Sequence, residues 1–135
     1  MTARLERVGL NIKRLQVRHH RALDRSLAEH GITLVQWDAL RHLHANPDAS
    51  LHDLAQLTFQ SDQAFGTLAQ RMIERGLIER VDGPGRAVKH RLTERGEQLR
   101  TACDEVVDGV FRETLLRLSA DELAQLDALL TKALG

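Results

Sequence analysis

The chain reads as a mainly α-helical fold carrying one small β-hairpin. Three observations predict it. Apolar residues recur at three- and four-residue spacing through most of the 135 residues. Hydroxyl residues followed three positions later by glutamine or an acid stand just before several of those runs, as helix starts require. Between Gly76 and Thr93 the period shortens to that of extended backbone, around the turn Asp82-Gly-Pro-Gly-Arg86.

Leu5, Val8, Ile12, Leu15, Leu23 and Leu27 mark a long first helix, with His19 in the same stripe and Gly31 closing it. Thr33-Leu-Val-Gln36 is a capping box for a second helix, which buries Trp37, Leu40 and Leu43 and ends at Asn46-Pro47. Ser50-Leu-His-Asp53 starts a short third helix through Leu54, Ala55 and Leu57. Thr58-Phe-Gln-Ser61 then breaks the pattern. Ser61 caps a fourth helix that points Phe65, Leu68, Ala69 and Met72 inward and stops at Gly76. A short helix, a tight turn and a second helix make a helix-turn-helix. Leu77–Val81 and Ala87–Leu92 are the predicted strands. Thr93 opens a long fifth helix through Leu99, Cys103, Val106, Val110 and Phe111, and Ser119-Ala-Asp-Glu122 caps a last, leucine-rich one. The middle of the chain is therefore a winged helix-turn-helix. The outer helices carry more leucine than that small core can absorb, and a second copy of the chain is the simplest cover for them.

Aromatic residues are 3% of the chain against 42% hydrophobic overall, so the core must be aliphatic. The single cysteine, Cys103, excludes an intrachain disulfide and reads as a buried apolar residue. No run of about 18 apolar residues and no signal-peptide pattern is present, so a soluble cytoplasmic protein without membrane contact is expected. Net charge is zero but unevenly spread: Arg4, Arg7, Lys13, Arg14, Arg18, Arg21 and Arg25 crowd the first 30 residues, while Asp and Glu predominate beyond 97. These segments would attract each other if packed together, within or between chains; two ordinary solvated faces are the alternative. Overall neutrality excludes a non-specific nucleic-acid coat and leaves only a local patch for DNA.

The apolar stripe of the fourth helix turns Ser61, Asp62, Gln63, Gly66, Thr67 and Gln70 outward, with Arg71 at the side. Gln63 can pair bidentately with adenine, and Thr67 can offer its methyl to thymine or its hydroxyl to a base edge. Ser61 and Arg71 can reach phosphates, and Gln60 beside them can too. Gly66 costs about 1 kcal/mol of helix stability against alanine, which suits either close approach of DNA backbone or simple tolerance in a packed helix. Alternation puts Lys89 and Arg91 on one face of the second strand, toward phosphates. Arg86, just past the small-residue tip, can enter a narrow minor groove.

Over essentially its whole length the chain resembles the MarR-type transcription regulators. The resemblance rests on Thr33-Leu-Val-Gln-Trp-Asp-Ala-Leu40, on Leu68 to Gly76 followed by Leu-Ile-Glu-Arg80, on Arg86 with Leu92-Thr93-Glu-Arg-Gly96 downstream, and on Leu118-Ser-Ala-Asp-Glu-Leu123. It implies a homodimer joined through its terminal helices, double-stranded DNA as partner, a near-palindromic operator and, by family habit, repression. One domain of residues 1–135 is expected, with 1–32 and 97–135 as dimerisation helices and 33–96 as the DNA-binding lobe. The family's wing pattern is Asp-x-Arg; here Pro84 stands two before Arg86, and the nearest acid is Asp82.

The resemblance also implies a small aromatic or phenolic ligand between the dimerising helices and the DNA-binding lobe, with Arg18, His19, Trp37, Arg41 and His44 as its contacts. Arg18 or Arg41 would pair with a carboxylate and Trp37 would stack on a ring. Trp37 as plain core and His19 as a seam residue are the alternatives. Asp38 and His42 are spaced for metal, yet no dense ligand motif accompanies them, so neither metal nor cofactor is expected and a metal-responsive regulator is the weaker reading. No phosphate loop, nucleophile elbow or buried acid pair occurs, so the chain is not expected to be an enzyme. A winged helix used only for protein association is the other alternative.

Overall fold

The computed structural model describes residues 2–82 and 88–135. In chain order it contains α1 (Thr2–Ala28), α2 (Leu34–Ala45), α3 (Leu51–Leu57), α4 (Asp62–Glu74), β1 (Ile78–Asp82), β2 (Val88–Leu92), α5 (Glu94–Leu115) and α6 (Ala120–Leu134). The strands pair antiparallel from Ile78 opposite Leu92 to Asp82 opposite Val88, and Ser50 makes one further antiparallel bridge to Lys89. That bridge ties the start of α3 to the hairpin.

Local chemistry sets most boundaries. Thr33, Ser50 and Ser119 form complete capping boxes with Gln36, Asp53 and Glu122, while Ser61 and Thr93 cap α4 and α5 through their hydroxyls. Each such cap contributes about 1 kcal/mol. At the other end, α1 and α4 both stop on a glycine with φ of 72°, Gly31 and Gly76. In each case the next amide reaches back five residues: Ile32 N–H donates to Leu27 O and Leu77 N–H to Met72 O. This corrects the first strand. Leu77 is expected to begin it, but its N–H is consumed by the helix end, so β1 starts at Ile78. β2 starts at Val88, and the expected start at Ala87 lies outside the described residues.

The core lies where α1, α2, α4 and α5 meet: Leu23 and Leu27, Leu40 and Leu43, Phe65 and Met72, and Cys103 with Val107 are all buried there. Leu54 joins them from α3, and Leu77 and Ile78 from the approach to β1. Trp37 is half-buried at the edge. Burial, with Asp104 adding to it, raises the Cys103 thiol above its ordinary pKa, so the sulfur behaves as a small apolar group. His90 is buried on the inner side of β2, where desolvation first and Arg80 second disfavour its charged form.

The outer helices do not share in this core throughout. The stripe of α1 is buried at Leu23 and Leu27, half-buried at Leu15, and open at Leu5, Val8 and Ile12. No residue of α6 is buried, and Leu129, Leu130 and Leu134 are exposed. Among the described residues no helix is long and apolar enough to cross a membrane.

Gly96 seats α5 against the end of α4. A Cβ there would fall 2.0 Å from Leu77 O and 3.0 Å from its carbonyl carbon, both fixed backbone. Gly96→Ala should therefore lower stability by roughly 3 kcal/mol, at the upper end of overpacking costs. Urea denaturation checks this, and an unchanged midpoint would mean the helix seat is far more pliable than the geometry implies.

Candidate nucleic-acid interface

The α3–α4 pair places the proposed reading face. Phe65, Ala69 and Met72 anchor α4 in the core, so the opposite side must face outward. Ser61, Asp62, Gln63, Thr67, Gln70 and Arg71 are all exposed there, as their spacing predicts. Arg75, half-buried at the helix end, reaches Gln36 Oε1 at 3.4 Å and so links α4 to α2.

Details qualify individual roles. Ser61 Oγ accepts the Ala64 N–H at 3.0 Å and thus acts as cap, leaving its hydroxyl proton for another acceptor. Thr67 Oγ1 donates to Gln63 O at 3.1 Å, which turns its methyl into the more available feature. Gly66 is half-buried, and a Cβ would meet only Leu51 Cδ1 at 4.0 Å. It therefore sits toward α3 more than the outward reading expects, with room for a methyl. Gln60 is also turned inward, its amide donating to Thr58 Oγ1 at 3.1 Å. His52, unremarked in the sequence, lies 2.8 Å from Asp62 Oδ1. Asp62 is one of two exposed acids on the outward side of α4, Glu74 at its far end being the other. No local pattern announces a pair ten residues apart across a turn.

On the hairpin, Lys89 and Arg91 share the face opposite His90, as alternation requires. Arg91 does not stand free: its Nε donates to Glu79 Oε1 at 2.5 Å, directly across the strands. That pairing costs Arg91 some of its reach to phosphate, since a cross-strand carboxylate already satisfies it. Arg86 lies outside the described residues.

The five expected ligand contacts do not converge on one cavity. Arg18 lines an open groove along α1 with Leu10, Lys13, Arg14, Val17, Arg21 and Arg25. His19 packs on α5 instead, with Nε2 2.6 Å from Thr114 Oγ1 and its ring edge-to-face with Phe111 at 4.9 Å. Burial first, and Arg18 second, hold its pKa below the ordinary histidine value, which disfavours the charged ring where α1 packs on α5. Trp37 Nε1 donates to Asp104 Oδ1 at 2.9 Å, and the Arg41 guanidinium lies 5.3 Å from the indole ring centre. Arg41 itself is held by Asp38 at 2.7 Å, and His44 lies 2.9 Å from Glu97. Thr114, Asp104 and Glu97 are spread along α5; the first two alone are about 15 Å apart at helical rise.

Between them these contacts form a ladder that joins α2 to α5. Arg100 bridges Glu97 and Asp104 at 2.9 and 2.7 Å. Partial burial opposes ionisation of Glu97, but hydrogen bonds from His44 and Arg100 outweigh it and hold that carboxyl below its usual range. Asp38 and His42 approach to 3.5 Å, and no third ligand joins them among the described residues.

Comparison with known proteins agrees with this architecture. A family model described as MarR family matches residues 30–87. Wild-type MarR from E. coli in its apo form is 26% identical with a TM-score of 0.81, over 94% of this chain and 96% of that one. A MarR family protein of Mycobacterium tuberculosis, solved with salicylic acid, is 27% identical with a TM-score of 0.76, over 94% and 95% of the two chains. A mutant E. coli MarR complexed with operator DNA shares the fold at 24% identity and a TM-score of 0.86, over 98% and 96%. With the helix-turn-helix, the hairpin behind it and the long outer helices all in the same order, the chain is similar over most of its length to MarR-type winged helix-turn-helix transcription regulators, and its residues 30–87 match the model of that family.

Proposed function

We propose that the protein is a cytoplasmic, homodimeric DNA-binding transcription regulator, a repressor, that reads a near-palindromic operator and acts by binding, with no catalytic chemistry of its own. The observation that carries this is the outward face of α4: Gln63, Thr67, Gln70 and Arg71 are exposed, while the opposite side is locked into the core. A rigid helix whose outward groups are mostly polar, with Ala64 among them, suits the major groove, whose edges offer donors, acceptors and thymine methyls. Residues 33–96 form the DNA-binding lobe in this reading, and 1–32 with 97–135 form the dimerisation helices. Two copies read half-sites about one helical turn apart.

Gln63 and Thr67 contact base edges; Ser61, Gln70, Arg71 and Lys89 hold backbone phosphates, with Arg91 a weaker contributor because of Glu79. Gly66, half-buried toward α3, stands at the margin of the contact, and Arg86 reaches the adjoining minor groove. The salicylic acid complex of the Mycobacterium tuberculosis relative supports a small aromatic or phenolic ligand for this chain as well. The dispersed positions of Arg18, His19, Trp37, Arg41 and His44 favour a site completed by the second protomer. Its basic groove along α1, with Arg18 at its middle, is where a carboxylate would be drawn.

Selection of bound duplex from a random pool, followed by fluorescence titration, tests the reading; a dimer that selects nothing would point to a protein-association module. Two substitutions separate the roles. Arg86→Ala should weaken operator binding and relax the preference for A·T at the flanks. Unchanged affinity and preference would remove Arg86 from the interface. Thr67→Ala should alter sequence preference more than overall affinity, most at the one base position that its methyl would touch. A uniform loss across sequences would reassign Thr67 to phosphate contact.

A further inference from the structure

Phe59 stands in the turn between α3 and α4, 97% exposed and with φ of 56°. No other non-glycine residue has a positive φ among the described residues. Two unfavourable features therefore coincide. An L-residue is held in the left-handed region that glycine or asparagine takes readily, and a whole aromatic ring is left in water.

The turn around it is tightly held. Phe59 N–H donates to Gln56 O at 3.2 Å, and Gln60 N–H donates to Ala55 O at 2.8 Å. Thr58 Oγ1 donates to Leu54 O at 2.7 Å, and Gln60 folds back onto Thr58. The neighbours on both sides thus turn inward while the backbone aims the ring out. Packing within the chain gives no reason for a phenylalanine here, and a strained residue without a structural role directs attention to function.

Its position supplies one. Ser61, two residues on, caps the N-terminus of α4, and Gln63 begins the exposed reading face. A ring projecting from the turn that leads into this helix meets the rim of the groove the helix enters. The rim's apolar parts are deoxyribose carbons and thymine methyls. We propose that Phe59 is an operator contact, packing its ring on that apolar rim beside the N-terminus of α4. This rests on the DNA-binding reading above. Burying a large part of the ring adds affinity that the polar face alone does not supply. Because the contact displaces no counterion, it leaves the salt dependence of binding as it was.

The test uses the full chain and a fluorescein-labelled duplex recovered from the random pool. Phe59→Gly, which relaxes the backbone, should melt no lower than the parent and bind the duplex about tenfold more weakly. The slope of affinity against salt should be the same for both proteins. Phe59→Leu should retain part of the affinity. A uracil-for-thymine duplex separates the two apolar partners: a parent that loses affinity on it, beside a variant that does not, places the ring on a methyl. Equal sensitivity of both proteins places it on deoxyribose. If Phe59→Gly melts lower, Phe59→Asn, which also accepts this backbone, replaces it. Equal operator affinity of parent and variant overturns the proposal while leaving the DNA-binding reading intact. A parent that selects no duplex removes both. A variant with unchanged DNA affinity but a weakened dimer assigns the ring to the second copy and overturns it too.

Discussion

Several leucines of the outer helices, Leu5, Leu129, Leu130 and Leu134 among them, stay exposed within one chain, and burying them is the constraint on which the rest depends. Leu5, at 68% exposed, and Leu129, at 64%, lie on stripes that are regular in spacing. Their helices are long, about 40 Å for the 27 residues of α1 at ordinary helical rise. Burying one such leucine stabilises by about 1.5–3 kcal/mol, so several left in water would forgo a sum comparable to the whole stability of a domain. In the proposed dimer a second copy would resolve this, because the same stripe would recur on it with two-fold symmetry. The basic groove of α1 and the acidic residues of α5 and α6 favour the same arrangement.

The DNA-binding reading inherits its geometry from that constraint. A single α4 face offers few polar groups, and each bidentate base contact is worth only about 1–3 kcal/mol. Two faces held at fixed separation read twice the sequence and set the half-site spacing. In the proposed dimer that separation would be fixed by the joint between lobe and outer helices. The ladder of His44, Glu97, Arg100, Asp104 and Trp37 ties α2 to α5, and Gly96 lets α5 press directly on Leu77. A ligand or substitution that disturbs this joint would tilt α4 relative to its symmetry mate.

Helix starts were the most legible feature of the sequence, because a cap is a local event: a hydroxyl at one position and an acceptor three residues on decide it. The winged helix-turn-helix followed from helix order and from the change of period after Gly76. β1 starts one residue later than the apolar pattern suggests because Leu77 belongs to a helix end, where its N–H returns to Met72. The exposed face of α4 was readable from its apolar stripe, although the inward lean of Gly66 was not. Partners that cross between elements had no local signature. Nothing near Trp37 announces Asp104, nor does anything near Arg91 single out Glu79. Phe59 carried a signal that only the backbone made plain, an aromatic where a turn favours glycine.

Light scattering on the purified chain over a dilution series tests the central constraint most directly. With 15.2 kDa per chain, a particle of about 30 kDa that persists to low concentration is the predicted result. A folded, well-behaved single chain of half that mass, stable with its outer leucines in water, would contradict it.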